Sequence, residues 1–192
     1  MRRIILLICL LLTACSSATS YVNSIFDNVI NNNSSNYCFL TKASKQEALD
    51  VHNAYIDEEV DEFLSLYALD DVSDEVRLKL HDTFEMIYQK AKYEIKDDKV
   101  IIYPMDIMLD HEAYKGLFKD MVYQIDKDDP DFDYDAYLDE IALAYNDLLL
   151  SKIDDIAYLD PEKYILDVKK DDLYHIDIDQ FNEIIDALIV YL

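Results

Sequence analysis

From Ser44 onward the spacing of apolar residues changes from helical to strand-like and back twice, and this order restricts the fold more than any other feature of the 192-residue sequence. Ser44-Lys45-Gln46-Glu47 is a capping-box pattern, in which hydroxyl and carboxylate satisfy the exposed amides of a helix start. Ala48, His52, Tyr55 and Ile56, then Val60, Phe63, Leu64 and Tyr67, predict two short amphipathic helices after it. Val76, Leu80, Phe84, Ile87, Tyr88 and Ala91 predict a third, with Asp74 and Glu75 where a helix N-terminus favours negative charge. The period then falls to two. Residues 93–96, the turn Asp97-Asp98 and residues 99–107 read as a β-hairpin whose second strand is apolar on both faces. Pro104 within it has no amide to donate and belongs at an edge, a bulge or a strand end.

Helical spacing returns near Asp110 with Tyr114, Leu117, Phe118, Met121, Val122 and Ile125, and again from about Asp133 with Tyr134, Tyr137, Leu138, Ile141, Tyr145 and Leu148 on one face. Tyr164, Leu166 and Val168 alternate with Ile165, Asp167 and Lys169. That strand turns at Lys170-Asp171-Asp172 and returns over residues 173–177. A last helix from Asp179 presents Phe181, Ile184, Ile185, Leu188 and Leu192. The order predicts an α+β domain over residues 44–192, an antiparallel sheet of two hairpins packed with amphipathic helices, and not a βαβ array. Roughly 150 residues suit one core. The lone glycine, Gly116, falls inside a predicted helix, so no glycine-dependent phosphate loop is present.

The front of the chain has a different character. Arg2 and Arg3 precede an apolar run over residues 4–12, the build of a secretory signal and too short for a permanent span of about 20 residues. The run ends in Leu12-Thr13-Ala14-Cys15, which resembles the bacterial lipobox of leucine, two small residues and cysteine. Residues 1–14 therefore read as a lipoprotein signal peptide and Cys15 as the lipidated residue, against the alternative of an ordinary secretory signal with an incidental cysteine. Acyl chains buried at about 0.8 kcal/mol per CH₂ would anchor the protein, palmitate-like, on the extracytoplasmic face of a cell membrane. Residues 16–36 are rich in serine and asparagine, with the run 31–36, and residues 15–43 read as the lipidated cysteine and a disordered tether, within which Ile25, Phe26, Val29 and Ile30 fall at helical spacing and allow a short unstable helix.

With Arg2 and Arg3 removed, the net charge of −24 becomes about −26. Such a surface repels nucleic acid and anionic head groups and favours cations or basic partners; the alternative is that the charge serves solubility alone. Cleavage and acylation leave Cys38 as the remaining thiol, so the fold rests on its core without an internal disulfide.

Three segments carry a resemblance. Residues 47–71, with Ala48-Leu49-Asp50-Val51-His52-Asn53-Ala54-Tyr55 leading to Phe63-Leu64-Ser65-Leu66-Tyr67, are one; Tyr93-Glu94-Ile95-Lys96 with residues 100–104 is another; residues 164–177, ending Asp171-Asp172-Leu173-Tyr174-His175-Ile176-Asp177, are the third. They resemble small uncharacterised lipoproteins of low-GC Gram-positive bacteria whose domains are nuclear transport factor two-like (cystatin-like) α+β folds. That family's last strand commonly reads Asp-Gly-x-Trp. Asp172 stands here in place of the glycine and Tyr174 in place of the tryptophan, which leaves the strand register open. The resemblance implies the fold and a non-enzymatic surface role, and brings no ligand.

For chemistry, the best-spaced constellation is Asp129, Asp131, Asp133 and Asp135 with Glu140, at positions one, three, five, seven and twelve of a calcium-type loop. Position six, normally glycine, is Tyr134; the competing reading is an acidic loop that caps the next helix through Asp133 or Asp135. His52, His81, His111 and His175 show no metal-ligand pairing, and no nucleophile motif occurs. His52 reads as a packing residue, and the tyrosines as core edges rather than a sugar platform. The sequence thus points to a lipid-anchored, non-enzymatic domain without a cofactor, binding a basic or cationic partner or ligand in the concavity between sheet and helices. The alternative is a calcium-responsive surface protein using the loop 129–140.

Overall fold

A computed structural model describes residues 18–96, 99–107, 132–170 and 174–191. The signal peptide, Cys15, the turns at Asp97-Asp98 and Asp171-Asp172, the helix expected after Asp110 and Leu192 lie outside them. The described chain is α+β, as its periodicity requires, and divides into two compact units. Among the described residues no helix is long and apolar enough to cross a membrane.

One unit gathers residues 18–52, 92–102 and 161–186. Its first helix, α1 (Ala18–Asn31), falls where a tether was expected. Tyr21, Val22, Ile25, Phe26, Val29 and Ile30 recur in adjacent pairs every four residues, and all six are buried. Each such side chain contributes about 1.5–3 kcal/mol on burial, which average composition over the serine- and asparagine-rich stretch conceals. Phe26 meets Phe181 edge-on at 5.0 Å and Tyr93 at 5.1 Å. The asparagine run is a helix stop: Asn32 takes a left-handed φ of 52°, its amide donates to the Asn28 carbonyl, and Asp27 accepts from the side chains of Asn31 and Asn33. A short helix α2 (Ser34–Thr41) follows and ends on Lys42, also left-handed. The expectation of a disordered tether over 15–43 is thus corrected for residues 18–41.

The capping box forms as expected: Ser44 Oγ accepts from the Glu47 amide at 3.1 Å and Glu47 Oε2 from the Ser44 amide at 2.7 Å. It opens α3 (Lys45–Leu66), one 22-residue helix rather than two short ones, whose first turns belong to this unit. Asn28 donates to the Ala48 carbonyl at 3.0 Å. Strands β1 (Lys92–Lys96), β2 (Lys99–Tyr103) and β5 (Glu162–Ile165) form a sheet in the order β1-β2-β5, with β2 and β5 antiparallel and Val100 opposite Tyr164. The second expected hairpin, β6 (Val168–Lys170) with β7 (Tyr174–Ile176), pairs with itself and not with that sheet. Asp177 Oδ1 accepts the amides of Asp179 and Gln180 and so caps α6 (Ile178–Asp186), which buries Phe181, Ile184 and Ile185.

The other unit gathers residues 53–91, 103–107, 132–160 and 187–191 of the described chain. Here α3 ends in a Schellman arrangement, with the Leu69 amide donating to Leu64 at 2.8 Å and the Ala68 amide to Ser65 at 3.2 Å. Helix α4 (Asp74–Tyr88) starts on Ser73, and α5 (Tyr134–Lys152) on Asp133. They share a buried hydrogen bond of 2.6 Å from Thr83 Oγ1 to Asn146 Oδ1. Phe63 is surrounded edge-on by Phe84, Tyr67 and Tyr145. The apolar run 99–107 is not one strand: Pro104 ends β2, and β3 (Met105–Asp106) enters a different sheet. There β3 pairs antiparallel with β4 (Ala157–Tyr158) and parallel with β8 (Ile189–Val190). The described strands thus form three small sheets in place of the single one expected from two hairpins.

Candidate functional site

Helix α5 stops at Lys152, and two tight turns, Ile153 amide to Leu150 carbonyl and Asp155 amide to Lys152 carbonyl, bend the chain back toward β4. Pairing of Asp106 with Ala157 and Met105 with Tyr158 then sets β3 beside that bend. The result is a cleft of about 200 Å³ walled by Ile87, Ile107, Leu149, Ile153 and Ile156. Three charged residues also line it: Asp106, Lys152 and Asp155.

The alternation of β3 explains the central carboxylate. Met105 points to one face and is fully buried; Asp106, the next residue, points to the other and reaches the cleft. Its Oδ1 is buried, and among the described residues no hydrogen-bond donor reaches it. A buried polar atom without a partner costs about 1–3 kcal/mol, more when charged, and among the described residues this is the one buried carboxylate oxygen without a hydrogen-bond partner. Sequence reading passed over Asp106. The available signal is a lone acid in the apolar strand Val100-Ile101-Ile102-Tyr103-Pro104-Met105-Asp106-Ile107, where a solvated face does not account for it.

A second, broader depression lies between α3 and α4, where Arg77 pairs with Asp61, His81 Nε2 lies 3.8 Å from Asp57, and Asp74 also lines the wall. On the same helix His81, Asp82 and Glu85 bring ligand atoms within 4.8 Å of one another, a grouping that inspection of histidine spacing alone does not find. Asp82 is exposed and the three share one helical turn, an arrangement common on an acidic surface.

The sequence candidates are not brought together with this cleft. Asp129 and Asp131 lie outside the described residues. Asp133 is the N-cap of α5, accepting from the Ala136 amide at 3.1 Å, which is the capping role weighed against calcium. Asp135 and Glu140 are exposed on the helix itself. Positions six to twelve of the supposed calcium loop are therefore helical, because Tyr134 cannot make glycine's turn and Asp133 starts the helix instead. His52 is buried against α1, with Nδ1 2.7 Å from the Val29 carbonyl oxygen. His175 is exposed on β7 opposite Lys169, and His111 lies outside the described residues. Cys38 is half-buried, with Sγ 3.5 Å from the Ser44 carbonyl oxygen.

One buried acid also escaped the sequence reading. Glu59 is buried beside the Phe63 cluster and accepts hydrogen bonds from Tyr88, at 3.2 Å, and from Tyr191. Burial first, and then the Glu59 charge, push the Tyr191 hydroxyl far up from its ordinary value, so it stays a donor. With 41 acids in the chain, nothing in the pattern marks this one.

No protein-family model matches the sequence, and neither does any curated protein. The fold matches the crystal structure of a Bacillus subtilis protein described as a lipoprotein (ycdA), with a TM-score of 0.57 and 14% identity. The match covers 90% of this chain and 56% of that one, so the present chain spans little more than half the length of its structural neighbour. At this identity the likeness concerns the fold.

Proposed function

We propose that the protein is a lipid-anchored lipoprotein on the extracytoplasmic face of a bacterial membrane, whose acidic domain is a non-enzymatic binding module for a basic or cationic partner. The observation that carries this reading is the sequence of features in the leader: Arg2-Arg3, then the apolar run, then Leu12-Thr13-Ala14-Cys15 at its end. The fold likeness to a Bacillus subtilis protein described as a lipoprotein supports it from a separate direction. The net charge of −24 supports the choice of partner, since a surface of one sign raises the local concentration of opposite charges.

Mass spectrometry of the N-terminal peptide from native cells tests the anchor. A peptide beginning at Cys15 with acyl mass added is the expected result, and Cys15→Ser should leave the leader uncleaved or the protein unacylated. An intact leader, or a new terminus without acyl groups in the unaltered protein, would remove the anchor and the surface location together.

A further inference from the structure

We propose that the end of the α1–α2 pair that carries Ala18, Tyr37, Phe39 and Lys42 rests on the anionic surface of the membrane, so that the protein meets the bilayer through a fixed face instead of hanging from a loose tether. The inference deepens the lipid anchor proposed above and rests on it.

Helix α1 begins close behind the anchor. Three chain steps lead from Cys15 to Ala18, a reach of about 10 Å at full extension. The helix is also fixed to its unit, through Phe26 on Phe181 and Tyr93 and through Val29 on His52. Acyl chains on Cys15 therefore hold the start of α1 near the head groups. The chain turns at Asn32, and α2 packs along α1. Tyr21, one turn into α1, has its hydroxyl pushed up first by burial and then by the charge of Tyr37, which sets Tyr37 near the anchored end. Helix α2 buries none of its residues, although it holds the apolar run Tyr37-Cys38-Phe39-Leu40. Phe39 is 54% exposed, and Lys42 donates to its carbonyl at 3.0 Å and holds Nζ 4.9 Å from its ring centroid. A ring with a long-stemmed lysine beside it suits a bilayer surface: the ring enters at head-group level while the ammonium meets phosphates.

Charge selects the same face. Of the 41 acids in the chain only Asp27 precedes Glu47, whereas Lys42 and Lys45 both lie in that stretch. Asp27 stands toward the far end of α1 and accepts from Asn31 and Asn33. Glu47 spends its carboxylate on the Ser44 amide. Cleavage before Cys15 thus joins a weakly positive front to a strongly acidic remainder. An anionic bilayer attracts the one and repels the other, which turns the front toward the head groups. A basic protein partner is drawn to the acidic remainder and not to this face.

The test uses the acylated protein, its acyl mass measured first, in vesicles of phosphatidylglycerol and phosphatidylcholine. The sequence holds no tryptophan, so Phe39→Trp supplies a single reporter at an exposed site. Its emission should shift to the blue, be quenched at least twofold by phospholipid brominated near the head group, and be shielded from acrylamide. Asn31→Trp, about 20 Å further along α1 than Ala18, should stay in water. Lys42→Glu with Lys45→Glu should cut the lipid quenching of the residue 39 reporter at least twofold, while the acyl chains keep the protein on the vesicles. Equal lipid quenching at residues 31 and 39 overturns the proposal, and so does an acylated, vesicle-bound Phe39→Trp protein that acrylamide reaches as freely as in detergent. Shielding that follows protein density and not brominated lipid would assign the face to a second copy and overturn it as well. A preparation without acyl mass that stays off the vesicles would remove the anchor itself, and this inference with it.

Discussion

The imidazole Nδ1 of His52 lies 2.7 Å from the main-chain carbonyl oxygen of Val29, joining α3 to a helix whose composition reads as a linker. Asn28 makes a second tie to the same helix through the Ala48 carbonyl. Residues 18–31 are therefore part of the hydrophobic core of their unit. Phe26 has no exposed surface and contacts two aromatic rings, so Phe26→Ala should destabilise by about 3–5 kcal/mol. For a chain of this size that lowers the melting midpoint by roughly 6 °C or more. An unchanged midpoint would return the segment to the status of a tether.

Thr83 and Asn146 make a buried hydrogen bond between α4 and α5. Thr83→Val leaves Asn146 Oδ1 without its donor in an apolar setting and should cost about 1–3 kcal/mol. Pairing it with Asn146→Leu replaces both polar groups, so the double variant should be more stable than the two separate losses sum to. A denaturant double-mutant cycle measures this coupling, and strict additivity would show that the bond contributes nothing of its own.

Among the described helices, α3 to α6 were legible from their period, and Ser44 with Glu47 and Asp133 stand at helix starts as expected, although α3 is one helix where two were expected. What sequence could not supply was long-range. Whether residues 99–107 form one strand or two depends on Leu188, Val190 and Ala157 arriving to pair with β3, and no local pattern announces a parallel partner 84 positions away. The tether reading failed on composition, since asparagines that suggest disorder instead end a helix at positive φ. Asp106 was hidden for the reason it matters: a strand's face is known only once its partners are, and its neighbours made the whole segment look apolar.

Two tyrosines of the first unit give it an alkaline limit. Burial, with Asp27 adding its charge, pushes Tyr93 up to about 12; burial, with the hydrogen bond to Glu162 and the charge of Glu183, does the same for Tyr164. The unfolded value is near 10.0, so the folded state holds these protons more tightly. Their contribution is complete below pH 10 and is lost as pH rises toward 12. Ultraviolet titration should show the exposed tyrosines ionising first, and Tyr93→Phe should flatten the fall of stability above pH 10. Ionisation of all tyrosines together near their ordinary value would contradict this.

Asp133 caps α5 through an oxygen that asparagine also carries. Asp133→Asn should thus leave stability nearly unchanged, and Asp133→Ala should cost about 1 kcal/mol. Calcium and magnesium at matched ionic strength should shift the melting midpoint equally, because diffuse screening does not distinguish them. A calcium-specific rise that disappears in Asp131→Asn and Asp133→Asn would restore the loop 129–140 as a metal site.

Ala68 ends α3 with φ of 56°, a conformation in which the methyl group crowds the following carbonyl. The Schellman hydrogen bonds at Leu64 and Ser65 hold it there, with Leu69 folded into the core behind it. A helix that ends in this left-handed conformation usually carries glycine there, but the chain has a single glycine, elsewhere. Removing the methyl group relieves a cost of about 1–2 kcal/mol, while the added freedom of the unfolded chain takes back part of it. Ala68→Gly should therefore stabilise the protein by roughly 0.5–1 kcal/mol, seen as a higher urea midpoint at unchanged slope. Because Ala68 is solvent-exposed, no lost packing offsets the gain, and a destabilised variant would mean that the helix ends by another route.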